Sequence, residues 1–309
     1  MIAKDLKNRG KLIRLLMPYF TEKKFRKINK IMKAGKGRNF SKTLDMKEIF
    51  IERTDGSQLR VVIFYKKDDL IPSEELRPGL LWIHGGGYAI GIPEQDFSFA
   101  ELFIARHNCV IFMPDYTLST QKPYPAAFDD CYQTLLYMKE HAAEFSINEN
   151  QIMTGGDSAG GGLCVAVDLM ARDSGDVKIS FTMPLYPMLD SRKTSSSTDN
   201  DAPVWNSKSN EAGWKLYLGD ENKLSKYAVP ALENDFKGFP STVTYIGTIE
   251  PFYDETMNFV KKLEKQSVEV SYKVFQGAFH AFDIVCAKSK SAKEAREFLG
   301  KAFENACKS

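Results

Sequence analysis

Six short apolar runs, each followed by a stretch with helical spacing, dominate this sequence: Gly79 to His84, Cys109 to Met113, Gln151 to Gly155, Ile179 to Leu185, Thr242 to Ile246 and Val268 to Val274. Strands that alternate with helices can pair only through crossover connections, so the pattern predicts an α/β fold, a mostly parallel sheet with helices on both faces. Ahead of these runs, Lys47 to Lys66 is strand-like on both sides of Asp55-Gly56, a hairpin signal. A chain of 309 residues with 43% hydrophobic content buries a full core and lies near the upper limit for one domain.

Two segments fall outside this rhythm. Residues 1–45 place Leu6, Ile13, Leu16 and Met17, then Phe25, Ile28 and Ile31, at helical spacing, with breaks near Pro18 and Gly35. Two short helices in front of the core are expected. Between Asp190 and about Asn222 a polar run, Thr194 to Asn200, precedes Trp205, Trp214 and Tyr217 and reads as an insertion. The expected organisation is 1–45 N-terminal helices, 46–190 first part of the core, 191–222 insertion and 223–309 second part of the core.

The formal net charge of +2 gives no reason to expect a nucleic-acid partner. Its distribution is uneven. Residues 1–40 carry thirteen Lys and Arg against Asp5 and Glu22, which leaves the remainder at −9. Such a segment reads as a solvated outer face of the N-terminal helices, with peripheral contact to an anionic membrane as the alternative. Five scattered cysteines, odd in number and without CxxC spacing, argue against a disulfide framework and a zinc site, and no metal is expected. No apolar stretch reaches spanning length and none resembles a signal-peptide core, so a cytoplasmic protein without stable membrane insertion is expected. A homodimer is left open.

Gly156-Asp157-Ser158-Ala159-Gly160 follows an expected strand and opens an expected helix, the context a nucleophile elbow requires. Alone the motif is weak, because glycine-rich strand-to-helix turns are common. A second element, Trp82-Ile83-His84-Gly85-Gly86-Gly87-Tyr88, ends an earlier strand. Its bare amides suit an oxyanion hole, with the N–H groups of Gly86, Gly87 and Ala159 as donors. The competing phosphate-loop reading lacks a following Lys-Ser/Thr and an acidic ribose reader. His84 precedes the serine and is expected to be structural.

Among four histidines, His107 and His141 fall near helix ends and read as surface residues, whereas His280 follows the last strand. That is where the order serine, acid, histidine puts the base. The acid belongs after the preceding strand, where Glu250 and Asp254 compete. Glu250 lies in the loop leaving the strand and is taken as the acid; Asp254 sits four residues on, in the first helical turn, and is taken as structural. The expected catalytic set is therefore Ser158, Glu250 and His280.

These motifs, together with Asp115-Tyr116, Tyr124-Pro125-Ala126-Ala127, Tyr186-Pro187-Met188-Leu189-Asp190 and Tyr227-Ala228-Val229-Pro230, resemble the hormone-sensitive-lipase-like branch of the α/β-hydrolases, microbial carboxylesterases with an HGGG loop and a GDSAGG elbow. The resemblance implies the α/β-hydrolase fold, cofactor-free hydrolysis of short- to medium-chain esters, and a helical cap built from the N-terminal helices and the insertion. Two departures stand out. The acid is Glu250 where the family usually has Asp, and Thr117 to Gln121 replaces a stretch that usually carries an internal Arg–Glu pair. Trp205, Trp214 and Tyr217 either line an acyl pocket or pack the cap. A small-molecule receptor on the same fold, and an amidase or peptidase with the same triad, remain as rivals.

Overall fold

The computed structural model describes residues 1–69, 71–220 and 224–308. Eight strands form one sheet: β1 (Leu44–Glu52), β2 (Gln58–Lys66), β3 (Arg77–Ile83), β4 (Val110–Pro114), β5 (Ile147–Asp157), β6 (Phe181–Leu185), β7 (Ser241–Gly247) and β8 (Val270–Phe275). Their order is β1-β2-β4-β3-β5-β6-β7-β8. The first two pairings are antiparallel, β1 on β2 and β2 on β4, and all others are parallel. All six apolar runs became β3 to β8, and the Asp55-Gly56 turn joins β1 to β2.

The helices are α1 (Lys7–Leu16), α2 (Glu22–Met32), α3 (Phe97–Arg106), α4 (Ala126–Glu140), α5 (Ala159–Ser174), α6 (Ser207–Leu218), α7 (Tyr253–Lys265), α8 (Phe282–Val285) and α9 (Lys290–Lys308). Phe103 of α3 meets Phe303 of α9 at 4.9 Å between ring centroids, while α4 packs on α5 as a separate layer. β3 and β4 are buried along their whole length, which is why their sequences read as unbroken apolar runs.

The N-terminal segment is fastened at several points. The Ala3 N–H donates to the Gly277 carbonyl at 2.9 Å, Leu6 is fully buried, and Gly10 lies so close to the Phe279 ring that a Cβ there would overlap it. Farther along, the Phe20 N–H donates to Ser209 Oγ of α6 at 2.9 Å, and the Asn206 side chain reaches the Pro18 carbonyl. Residues 18–25 and the 191–220 segment therefore pack as one layer. The boundary expected at 222–223 lies outside the described residues.

An internal ion pair does lie beside Thr117, supplied from a distance. Arg53 Nε meets Asp130 Oδ1 at 2.5 Å, and Asp130 Oδ2 also accepts the Thr117 N–H at 2.7 Å. The hydrogen bond to Asp130 raises the Arg53 pKa.

Candidate active site

Ser158 occupies the junction of β5 and α5 with φ 57° and ψ −119°, a conformation that strains a residue with a Cβ. Neighbouring backbone holds it there: its N–H donates to the Leu185 carbonyl, and its carbonyl accepts from Met188, both at 2.9 Å. A Cβ on Gly160 would collide with the Ile83 carbonyl at the end of β3. The turn is tight enough that only glycine fits at that flank.

The three expected catalytic side chains meet. His280 Nε2 lies 2.8 Å from Ser158 Oγ, and His280 Nδ1 lies 2.5 Å from Glu250 Oε2. Glu250 Oε1 accepts the Gly247 N–H at 2.9 Å, so the carboxylate is oriented by the strand it follows. All three residues are buried. The imidazole is flanked edge-on by Tyr186 and Phe252, each with its ring centroid 5.0 Å away. In that geometry the ring has one orientation, with one nitrogen for the acid and one for the hydroxyl.

Asp254 stands elsewhere. Its Oδ2 accepts the Ser196 N–H at 2.8 Å, and its own N–H donates to Ser196 Oγ at 3.0 Å. It ties the polar run of the insertion to the first turn of α7. His107 and His141 cap the C-terminal ends of α3 and α4, half-exposed and away from the serine.

The loop after β3 presents Gly86 at φ 127° and Gly87 at φ 58°. The N–H groups of these two glycines donate to no backbone acceptor among the described residues. Ala159 heads α5, where first-turn N–H groups lack intrahelical acceptors and the helix dipole favours negative charge. These are the three amides expected to face an oxyanion.

Behind the loop, His84 Nδ1 lies 2.8 Å from the Gly85 carbonyl, and its ring stacks on Tyr116 at 4.2 Å. Burial pushes the His84 pKa down to about 4, so at neutral pH it braces the loop as an uncharged ring. Asp157 Oδ1 accepts the Gly85 N–H at 2.8 Å. Asp157 also faces Asp96, which accepts the Trp82 indole N–H at 2.9 Å. Burial raises both carboxyls, Asp96 to about 6, so a proton shared between them removes the repulsion of two ions. Sequence reasoning missed Asp96, because nothing in its spacing ties it to a residue sixty-one positions later.

The insertion residues divide their work. Trp205 lies against Gly87, 6.4 Å from the His280 ring, with Phe20 and Phe25 packed on it at 5.7 and 6.2 Å. Trp214 and Tyr217 instead pack on Tyr88, the Tyr217 ring stacking at 3.8 Å. A cavity of about 750 Å³ opens between Arg14 and Tyr19 on one side and Asn200 and Trp214 on the other. Neither Ser158 nor His280 lines it; Asn210, which accepts the Trp205 indole N–H at 3.4 Å, does.

Three similarities place this site in context. An arylesterase of Saccharolobus solfataricus is 26% identical over 223 residues, covering 68% of this chain and 70% of its own. An esterase of Acinetobacter venetianus is 29% identical over 220 residues, covering 69% and 70%. Among solved structures, a bacterial heroin esterase superposes with a TM-score of 0.88 at 27% identity, over 100% of this chain and 98% of its own. Residues 80–284, which span the glycine loop after β3, the Ser158 turn, Glu250 and His280, match the family described as alpha/beta hydrolase fold, and the chain belongs to that family.

Proposed function

We propose that this chain is a serine carboxylesterase that hydrolyses short- to medium-chain carboxylic esters through an acyl-enzyme. One observation carries the reading: a continuous hydrogen-bonded line from Glu250 through His280 to a strained, buried serine, with two glycine amides in the loop after β3 that donate to no backbone acceptor among the described residues. The names of the related esterases support it.

In this reading His280 Nε2 takes the Ser158 proton as Oγ bonds to the ester carbonyl carbon. The carbonyl π electrons move onto oxygen, and the resulting oxyanion is met by the N–H groups of Gly86, Gly87 and Ala159, each worth ~3 kcal/mol in comparable sites. Glu250 stabilises the imidazolium. Collapse expels the alkoxide, which takes the proton from His280. Water, deprotonated by the same nitrogen, then attacks the acyl-enzyme, and Ser158 leaves with its proton restored. Residues 1–45 and the insertion from 191 form a cap over the site, and Trp205 bounds the acyl side of it.

The test is a fluorophosphonate adduct located by peptide mass spectrometry, combined with a panel of 4-nitrophenyl esters graded by acyl length and matched anilides. The adduct is expected on Ser158, ester turnover is expected to vanish in Ser158→Ala, and anilides should be turned over far more slowly than esters. Ester turnover that survives Ser158→Ala, or an adduct on another residue, rejects the proposal.

A further inference from the structure

Helix α1 buries one stripe and leaves an apolar stripe uncovered. Leu6 and Gly10 are buried and Ile13 is half-buried, a set spaced for one helix face. Leu12, Leu15 and Leu16, spaced i, i+3, i+4, are 54%, 76% and 70% exposed. Met17 and Tyr19 continue this surface beyond the helix end, both exposed. A contiguous leucine surface in water needs a reason, because single exposed apolar residues are ordinary and clusters are not.

The charges around it say what would cover it. Lys7, Lys11 and Arg14 share the neighbouring stripe of α1, and Lys23, Lys27 and Lys30 stand exposed on α2 with Ile31, itself 66% exposed. The ion pairs made by cations of residues 1–40 among the described residues are Arg14–Asp201, Arg26–Glu22 and Lys36–Asp115. The other cations of this segment face solvent with no acidic side chain within ion-pair distance. A second copy docking face to face would oppose two surfaces with the same strong positive excess. An anionic lipid surface supplies apolar depth for the leucines and negative charge for the rim at once.

We propose that the outer face of α1, through Leu12, Leu15 and Leu16 flanked by the unpaired Lys7 and Lys11, docks on an anionic lipid surface. The helix lies on the membrane and does not cross it; no helix among the described residues is long and apolar enough to span a bilayer. The chain that continues from α1 turns inward, where Phe20 and, from α2, Phe25 rest on Trp205. Docking therefore sets the cap, not the back of the sheet, against the lipid.

The experiment is co-sedimentation of the full chain with sucrose-loaded vesicles of phosphatidylcholine alone or with about 30 mol % phosphatidylserine, since acidic lipid is the variable that tests the charge argument. Binding is read as bound protein, so it does not depend on the esterase reading. Partition is expected to be at least about tenfold higher onto the acidic vesicles and to fall steeply with added salt. Leu12→Gln/Leu15→Gln/Leu16→Gln should lose most of that binding while its circular dichroism and hydrolysis of a soluble acetyl ester stay unchanged; Lys7→Glu/Lys11→Glu should do the same. No preference for acidic vesicles, or wild-type binding by the leucine variant, overturns the proposal. So does a wild-type dimer in sedimentation velocity that the leucine variant converts to monomer, because the face then belongs to a second copy.

Discussion

The Trp205 indole lies flat enough against Gly87 that a Cβ on the glycine would overlap the ring, and the same indole stands 6.4 Å from the His280 imidazole. In the proposed function, Trp205, which closes the acyl side, is thereby seated on one of the glycines that would hold the oxyanion. Trp205→Ala is expected to raise kcat/KM for octanoyl and decanoyl 4-nitrophenyl esters relative to acetyl by about tenfold or more, since several methylenes gain room at ~0.8 kcal/mol each. A steady-state panel checks the ratio; an unchanged ratio would remove Trp205 from the pocket wall.

The two carboxylates that compete in the sequence now have different neighbours. Glu250→Gln, which keeps the shape but breaks the charge on His280, is expected to lower kcat by on the order of 10⁴. Asp254→Ala, which only unties Ser196 from α7, should leave kcat within about tenfold and reduce stability by about 1 kcal/mol. Parallel kinetics and urea melts separate them.

Asp168 is buried between Thr154 and Thr182, with hydroxyl contacts of 2.7 and 2.6 Å, and burial raises its pKa to about 7. In the unfolded chain it titrates near ~3.9. The folded form thus holds its proton more tightly, and that stabilisation is complete below about pH 4 and is lost as pH climbs from about 4 to about 7, on the order of 4 kcal/mol in all. Asp168→Asn is expected to melt higher than the parent protein at pH 8, with the gap narrowing toward pH 4. Scanning calorimetry across that range reads it directly.

Arg53 and Asp130 form an ion pair in which the aspartate is almost wholly buried and also accepts the Thr117 N–H. Removing the cation alone strands a charge. Arg53→Met is expected to destabilise by about 3 kcal/mol, and Arg53→Met/Asp130→Asn to recover most of it, because asparagine still accepts from Thr117. Urea midpoints of the two variants test this.

The sheet, and the three side chains that the fold brings together at Ser158, were legible because the signals for both are local in sequence. β3 and β4, buried along their whole length, read as apolar runs, Ser158 sits in a turn flanked by nearby glycines, and Glu250 and His280 follow the last two strands in order. What was not legible joins residues far apart in the chain. Asp96 meets Asp157, and Arg53 replaces the ion pair that Thr117 to Gln121 had led one to think absent. Neither leaves a local spacing signal. Trp205 and Trp214 belong to the same aromatic-rich stretch, and only the packing of Phe20, Gly87 and Tyr88 decides that one lies near the imidazole and the other against Tyr88 of the loop after β3.

The hydrogen bond from Ala3 to Gly277 ties residue 3 to a point three residues before His280, and Gly10 rests on Phe279 immediately beside it. Proteolytic trimming of the first ten residues would therefore unmoor His280 while Ser158, Glu250 and His280 all remained in the polypeptide. Such a nicked protein would keep its sheet and its melting transition yet hydrolyse poorly, so intact-mass measurement belongs beside any activity assay of a purified sample.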